Sequence, residues 1–381
     1  MVVWGFALCS LGGPLALLAI ELPDAVGGRA LDSTGLVVAA GAALFSAPLL
    51  IWWRFSGEIA SSGGLYTFAE AALGRRWALL QGALWILSYV LYVAFTVTQV
   101  IYDLLPVPFP AVHGRQGAIE LALPVALTLL VAFVERPLLW GLVALAVVQV
   151  AGTLVLGATL IGYSAPFSSF TIGDHPDSVA RGIGNASLLF VCASLPLFLG
   201  AEVAGGGRVL RRVVTGSVAI VAGLLVFAAF ALAVFTGSRI ASLELPGYVA
   251  AQIAQGTTFA RWISAVAIAS VLGLVIAEFV ALTRLLHAMI GVTPRRAALA
   301  VGAVSVAADA ASLANPDEIY GKMITPSLIA LYLSQLIVFA GYAVFARRRG
   351  RLGALDGVAV VISCCLMVFA LEVVISQQTL V

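Results

Sequence analysis

Two carboxylates sit where a carboxylate is least at home. Glu202 and Glu278 lie deep inside long apolar runs. An ionisable group at membrane depth is costly, and such residues are as a rule paired or functional. Two roles stay open for Glu202: a structural tie between neighbouring segments, or a proton carrier. For Glu278 the alternatives are pairing with a basic group elsewhere in a helix bundle, or coupling. Either way the chemistry is the handling of a proton or cation, not bond cleavage. The chain has no GxSxG or HExxH motif and no cluster of paired acids with histidine. His113, His175 and His287 lack metal-ligand spacing. Cys9, Cys192, Cys364 and Cys365 lie inside apolar stretches and read as small buried hydrophobes. The sequence therefore predicts no enzyme activity, no cofactor and no metal.

A second kind of chemistry comes from the main chain. Ser10-Leu11-Gly12-Gly13-Pro14 interrupts one apolar run, and Leu195-Pro196-Leu197-Phe198-Leu199-Gly200-Ala201-Glu202 interrupts another. An unwound segment in a bilayer exposes N–H and C=O groups, which is tolerated only where they line a cavity or meet a ligand. The amino end of a half-helix attracts a carboxylate, and the opposing carbonyl end attracts an ammonium or a cation. A zwitterionic amino acid suits both. Ser10, Gly12, Gly13, Pro14, Leu197, Phe198, Leu199 and Gly200 are therefore candidate substrate-binding residues, and Phe198, next to Gly200, is a candidate gate.

The elements that must hold these groups are membrane helices. Of 381 residues, 62% are hydrophobic and only 10% charged, and the mean hydropathy is +1.10. A soluble domain is about half apolar, so the excess faces lipid. A net charge of +2 gives no reason to expect nucleic acid. Apolar runs of about 20 residues predict eleven crossings, near 2–22, 35–54, 78–105, 117–134, 137–163, 183–204, 212–237, 260–290, 296–313, 323–346 and 355–376. The first is read as a retained helix, because no basic region precedes it. With the amino terminus in the cytoplasm, 14 Lys and Arg fall on inner loops (among them Arg75, Arg76, Arg208, Arg211, Arg212 and Arg347–Arg349) and 6 outside. This positive-inside bias supports that orientation and puts the carboxyl terminus outside. Asp24, Asp174, Asp177, Glu244, Asp317 and Glu318 also fall on the outer side.

Crossings 1 and 6 both carry a break, the sign of two inverted repeats. The expected units are 1–163 (crossings 1–5), 183–346 (crossings 6–10) and an additional crossing 11 in 355–381. On crossing 3, Trp85, Tyr89, Tyr92, Thr96 and Gln99 share a face, which points to a cavity or a helix partner. Gln149, Gly152 and Thr153 share a face of crossing 5.

Residues 54–82 resemble the loop after helix 2 of the amino acid–polyamine–organocation permease superfamily. The matching elements are Glu58, Ser62-Gly63-Gly64, Tyr66, Gly74 and Gly82. Phe198-Leu199-Gly200-Ala201-Glu202 is similar to that family's aromatic-x-Gly-x-Glu signature, and Thr283-Arg284 to its Ser/Thr-Arg pair, with Pro294 following. The resemblance implies a leucine-transporter-type fold of five plus five inverted helices, with crossings 1 and 6 broken. It places the site between crossings 1, 3, 6, 8 and 10. It also implies a permease that moves amino acids by alternating access, as proton-coupled carrier or exchanger. Three departures stand out. Gly12-Gly13-Pro14 replaces the usual Gly-Ser/Thr-Gly turn, there are eleven helices instead of twelve, and Gln149 replaces a crossing-5 lysine found in some members. The lysine-based proton mechanism therefore does not carry over. Gln149, Glu202, Glu278 and Phe198 are the coupling or gating candidates. The expected partners are a small amino acid or organic cation, the lipid bilayer and a coupling proton. An efflux carrier and a non-transporting membrane sensor of the same fold are the alternatives.

Overall fold

The computed structural model describes residues 1–22, 30–161, 167–241 and 245–378. Asp24, Arg29, Glu244 and residues 162–163 and 379–381 lie outside the described residues, as do the side chains of Arg239, Asp317 and Glu318. Every regular element among the described residues is helical. Ten segments are long and apolar enough to cross a membrane, and the chain is a multi-pass membrane protein. The one expected crossing not among these ten, crossing 9, is also a helix, Pro294–Ser312, but it carries Arg295, Arg296 and Asp309.

Observed bounds fall close to those expected: Thr34–Glu58 for crossing 2, Arg75–Leu104 for 3, Gln116–Phe133 for 4 and Glu135–Ile161 for 5. Crossing 7 is Gly206–Ala241, 8 is Thr257–Ile290, 10 is Pro316–Arg348 and 11 is Ala354–Gln378. The lipid side is marked by exposed Leu129, Trp140, Val147 and Val361. Crossing 8 is the central staff, with buried residues from Ala260 to Leu285.

Crossing 1 breaks where expected. It runs as Val2–Ser10, turns through Gly12 (φ +78°) and Gly13 (φ +74°), and restarts at Pro14. Both glycines sit in the left-handed region that a Cβ disfavours, and Pro14 takes the first helical position, where its missing N–H does no harm. Crossing 6 is broken over the expected residues, and the break also begins earlier. The α-helix Pro176–Leu188 gives way to a 3₁₀ segment, Val191–Leu199, that contains Pro196, and turns follow until the next helix starts at Gly206. The early start follows from the direction in which proline acts. Its ring clashes with the carbonyl four residues before it and removes the bond to that carbonyl, so the distortion extends ahead of Pro196.

Two short helices lie in matched places, Leu65–Leu73 after crossing 2 and Pro246–Gln255 after crossing 7. The second is not evident in the sequence. Crossing 11 packs on crossings 2 and 10.

Candidate functional site

A cavity of about 190 Å³ lies where crossings 1, 3, 6, 8 and 10 meet. At about 30 Å³ of liquid per molecule, that is roughly the space of six waters. Its wall takes Leu11, Gly12, Ala16, Leu17 and Glu21 from crossing 1 and Ser88, Tyr89, Tyr92, Thr96 and Gln99 from crossing 3. Asn185, Leu188, Leu189, Val191 and Cys192 come from crossing 6, Val271 and Leu274 from crossing 8, and Leu328, Leu331 and Tyr332 from crossing 10. Both helix breaks therefore reach the wall: the Leu11–Gly12 turn on one side and the Leu188–Val191 turn on the other.

Half of the lining residues are aliphatic; the rest include three tyrosines, hydroxyl and amide groups and one acid, Glu21, with no Lys or Arg among the described residues. The Tyr89 hydroxyl donates to Cys192 Sγ at 3.7 Å, and Tyr92 stands edge-on to Tyr89 with ring centroids 6.5 Å apart. Glu278 lies behind this wall. It is fully buried one turn after Leu274 of the wall, and its two oxygens have no hydrogen-bond partner among the described residues. Arg284, one turn and a half further on, turns away from it to other acids. Pairing of Glu278 with a basic group, one of the two sequence readings, is thus not seen among the described residues. A buried carboxyl without a partner must be neutral or meet a cation.

Of the residues singled out in the sequence, Gly12, Tyr89 and Tyr92 line the cavity, as do Thr96 and Gln99. Ser10, Gly13, Pro14, Leu197, Phe198, Leu199 and Gly200 are buried but do not line it. The Ser10 hydroxyl is spent on Ala7 O at 2.8 Å. Gly13 faces away, onto Gln149 of crossing 5, where an added Cβ would overlap Oε1. Gln149 Nε2 in turn contacts Cys9 Sγ at 3.4 Å. Glu21, Asn185, Cys192 and Tyr332 were missed. The face made by Asn185, Leu188, Leu189 and Cys192 was hidden because the break was sought at Pro196–Gly200.

Phe198 belongs to the floor. Its ring lies 4.4 Å from Trp85, which stacks 4.0 Å from Tyr89. Its other face covers Gly64 (φ +50°) so closely that a Cβ there would come within 2.7 Å. Gly200 packs on the same loop, 2.7 Å from Ser61 N by the same measure. Below this layer Arg284 Nε donates to Glu202 Oε1 at 2.8 Å, and its Nη2 donates to Glu135 and, at 3.3 Å, to Glu202 Oε2. One guanidinium, 6% exposed, thus ties crossings 5, 6 and 8. Further out, Glu58 at the end of crossing 2 pairs with Arg349 and with Arg351 at 2.9 Å.

No family model matches the sequence, and no curated protein matches it. Solved structures do. MhsT in complex with L-phenylalanine is 15% identical, with 97% of each chain covered and a TM-score of 0.59. A manganese transporter of Eremococcus coleocola in complex with an aromatic bis-isothiourea compound is 13% identical, covers 99% of this chain and 88% of its own, and has a TM-score of 0.61. MHP1, a nucleobase-cation-symport-1 family transporter in a closed conformation with bromovinylhydantoin bound, is 12% identical, with 98% and 93% covered and a TM-score of 0.54. The chain has the leucine-transporter fold. At this identity the likeness is one of fold.

Proposed function

We propose that the chain is a secondary active transporter that moves amino acids or related small organic cations across the cytoplasmic (inner) membrane by alternating access. The observation that carries this reading is the cavity itself. It lies at the meeting of two helix breaks, is sized for a small solute, and sets aromatic, amide and hydroxyl groups and one acid among aliphatic side chains, with no base among the described residues. An amine near Glu21 and over Tyr92 gains both charge and ring contacts. The known structures of this fold, one of them titled as a complex with L-phenylalanine, support a small organic solute.

In this proposal residues 1–163 and 183–346 are the two inverted repeats, supported by the two breaks and the two matched short helices. Residues 355–381 add crossing 11. The arginine-rich end faces the cytoplasm with the amino terminus, and the carboxyl terminus lies outside. Phe198 gates the cytoplasmic side, Glu202 latches crossing 6 through Arg284, Gln149 buttresses the crossing-1 break, and Glu278 is the coupling carboxyl.

The test is counterflow in proteoliposomes preloaded in turn with single amino acids and polyamines. Accumulation of label against a matching internal pool supports the reading. Folded protein that moves none of them overturns it and favours a sensor.

A further inference from the structure

On the far side of crossing 3 from the cavity, crossings 3, 4 and 9 enclose two more carboxyls. Glu120 of crossing 4 and Asp309 of crossing 9 are both fully buried. Glu120 Oε2 accepts from the Tyr102 hydroxyl at 2.8 Å. Its Oε1 touches Ser312 Oγ and lies 3.4 Å from Thr98 Oγ1. Each of these hydroxyls has one hydrogen to give. Ser312 Oγ lies 2.8 Å from Asp309 O, and Thr98 Oγ1 lies 3.1 Å from Ala94 O. Those are the helical carbonyls that serine and threonine habitually bond. Each hydroxyl therefore gives its hydrogen to its carbonyl or to Glu120 Oε1, not to both.

Asp309 carries the need for a hydrogen. It sits one turn before Ser312, and neither of its carboxyl oxygens has a hydrogen-bond partner among the described residues. A buried carboxyl in that condition must be neutral or meet a cation. Crossings 3, 4, 8 and 10 pack around its helix. Ser312, which touches Glu120, lies 2.8 Å from the Asp309 main-chain carbonyl, so the two carboxyls are neighbours. The titratable group bonded to Glu120 is Tyr102. Two neighbouring carboxyls in so dry a place cannot both be ionised without a cation.

We propose that Glu120 and Asp309 form a proton-binding site, separate from the cavity, that the cavity senses through crossing 3. Thr98 links the two. Its hydroxyl faces Glu120, while Thr96 and Gln99, its near neighbours on the same helix, line the cavity. A shift of crossing 3 as the cavity fills changes the spacing at Thr98, and with it the affinity of the pair for its proton. By linkage, proton occupancy then changes affinity for the solute by the same factor. The coupling rests on the transporter reading given above, whereas the proton site does not.

The experiment is an infrared titration of the reconstituted full chain, following the C=O band of protonated carboxyls from acid to alkaline buffer. It is run on wild type, Glu120→Gln, Asp309→Asn and, as a control, Glu278→Gln. A titrating band reduced in both pair variants but kept in Glu278→Gln supports the site. An undiminished band in both pair variants overturns it. Loss of the band on adding sodium at constant pH overturns the proton as ligand in favour of an alkali cation. On the transport side, the pair variants are expected to lose accumulation driven by a proton gradient while keeping counterflow. Undiminished gradient-driven uptake in both overturns the coupling. A wild type with the band but no flux of any solute overturns the transporter reading and leaves the site standing.

Discussion

The two ends of the helix bundle are built to opposite rules. Toward the end poor in arginine, the wall between the broken crossings keeps a cavity in which tyrosine, amide and carboxyl groups are available to a guest. Toward the end rich in arginine, the same helices close over it in layers: the Trp85–Phe198–Gly64 stack, then Arg284 with Glu135 and Glu202, then Glu58 with Arg349 and Arg351. One half keeps a space lined partly by polar groups, and the other packs its polar groups against one another. In the transporter proposed above, contacts that break on opening must be made between protein groups when closed.

The contrast can be broken at the floor. Phe198→Ala removes a fully buried ring from the stack, with a cost of about 3 kcal/mol. Thermal unfolding should fall accordingly. In a protein that retains Cys192 as its one cysteine, a membrane-impermeant thiol reagent should then reach it from the arginine-rich side. With Phe198 intact that side should protect Cys192, and equal labelling from both sides would remove the gate. Next, Arg284→Ala leaves Glu135 and Glu202 facing each other without their cation. Breaking such a buried pair costs about 3 kcal/mol at the low end, which suits a group whose partner Glu202 is half exposed. Adding Glu135→Gln and Glu202→Gln should restore part of the stability, and no recovery would show that the guanidinium acts by packing alone.

The cavity side can be sharpened with smaller changes. Gly13→Leu meets both an unfavourable φ and the Gln149 side chain, and should abolish solute binding while the protein still inserts. Gly13→Ala with Gln149→Ala makes room, leaving only the strain of a Cβ at φ +74° and ψ +150°, a region almost reserved for glycine, at about 1–3 kcal/mol. Measurable counterflow in that pair, absent in Gly13→Ala alone, would identify the crowding as the cause. Gly200→Leu should act differently, by lifting crossing 6 off the Ser61 backbone and loosening the closed end. Its readout is thiol access from the arginine-rich side.

Much of this was legible before the fold was seen. Apolar runs gave the helices, and Gly12-Gly13 gave the crossing-1 break, because a pair of glycines before a proline has few other uses in a membrane helix. Pro196 and Gly200 marked the second break but not its early start, since sequence marks where a proline is and not the stretch it distorts ahead of itself. Tyr89 and Tyr92 followed from their shared face. Glu21 and Asn185 did not, because each comes to the cavity from near a helix end whose rotation depends on tertiary packing, and Tyr332, in the middle of crossing 10, belongs to no motif that would mark its face. The Glu120–Asp309 pair was invisible for the same reason: 189 positions separate the two residues along the chain, and neither lies in a motif.

The outermost layer of the closed end has a consequence for the medium around the protein. Arg349 and Arg351 are 49% and 72% exposed at the side chain, while Arg284 is 8% exposed. Dissolved salt weakens exposed pairs, with a screening length of about 10 Å at 0.1 M, and affects buried ones much less. Ionic strength on the arginine-rich side should therefore hasten the first part of opening, the release of crossing 2 from the loop after crossing 10, without loosening the Arg284 latch beneath. The protein would carry two fastenings in series, one set by its surroundings and one by its own interior.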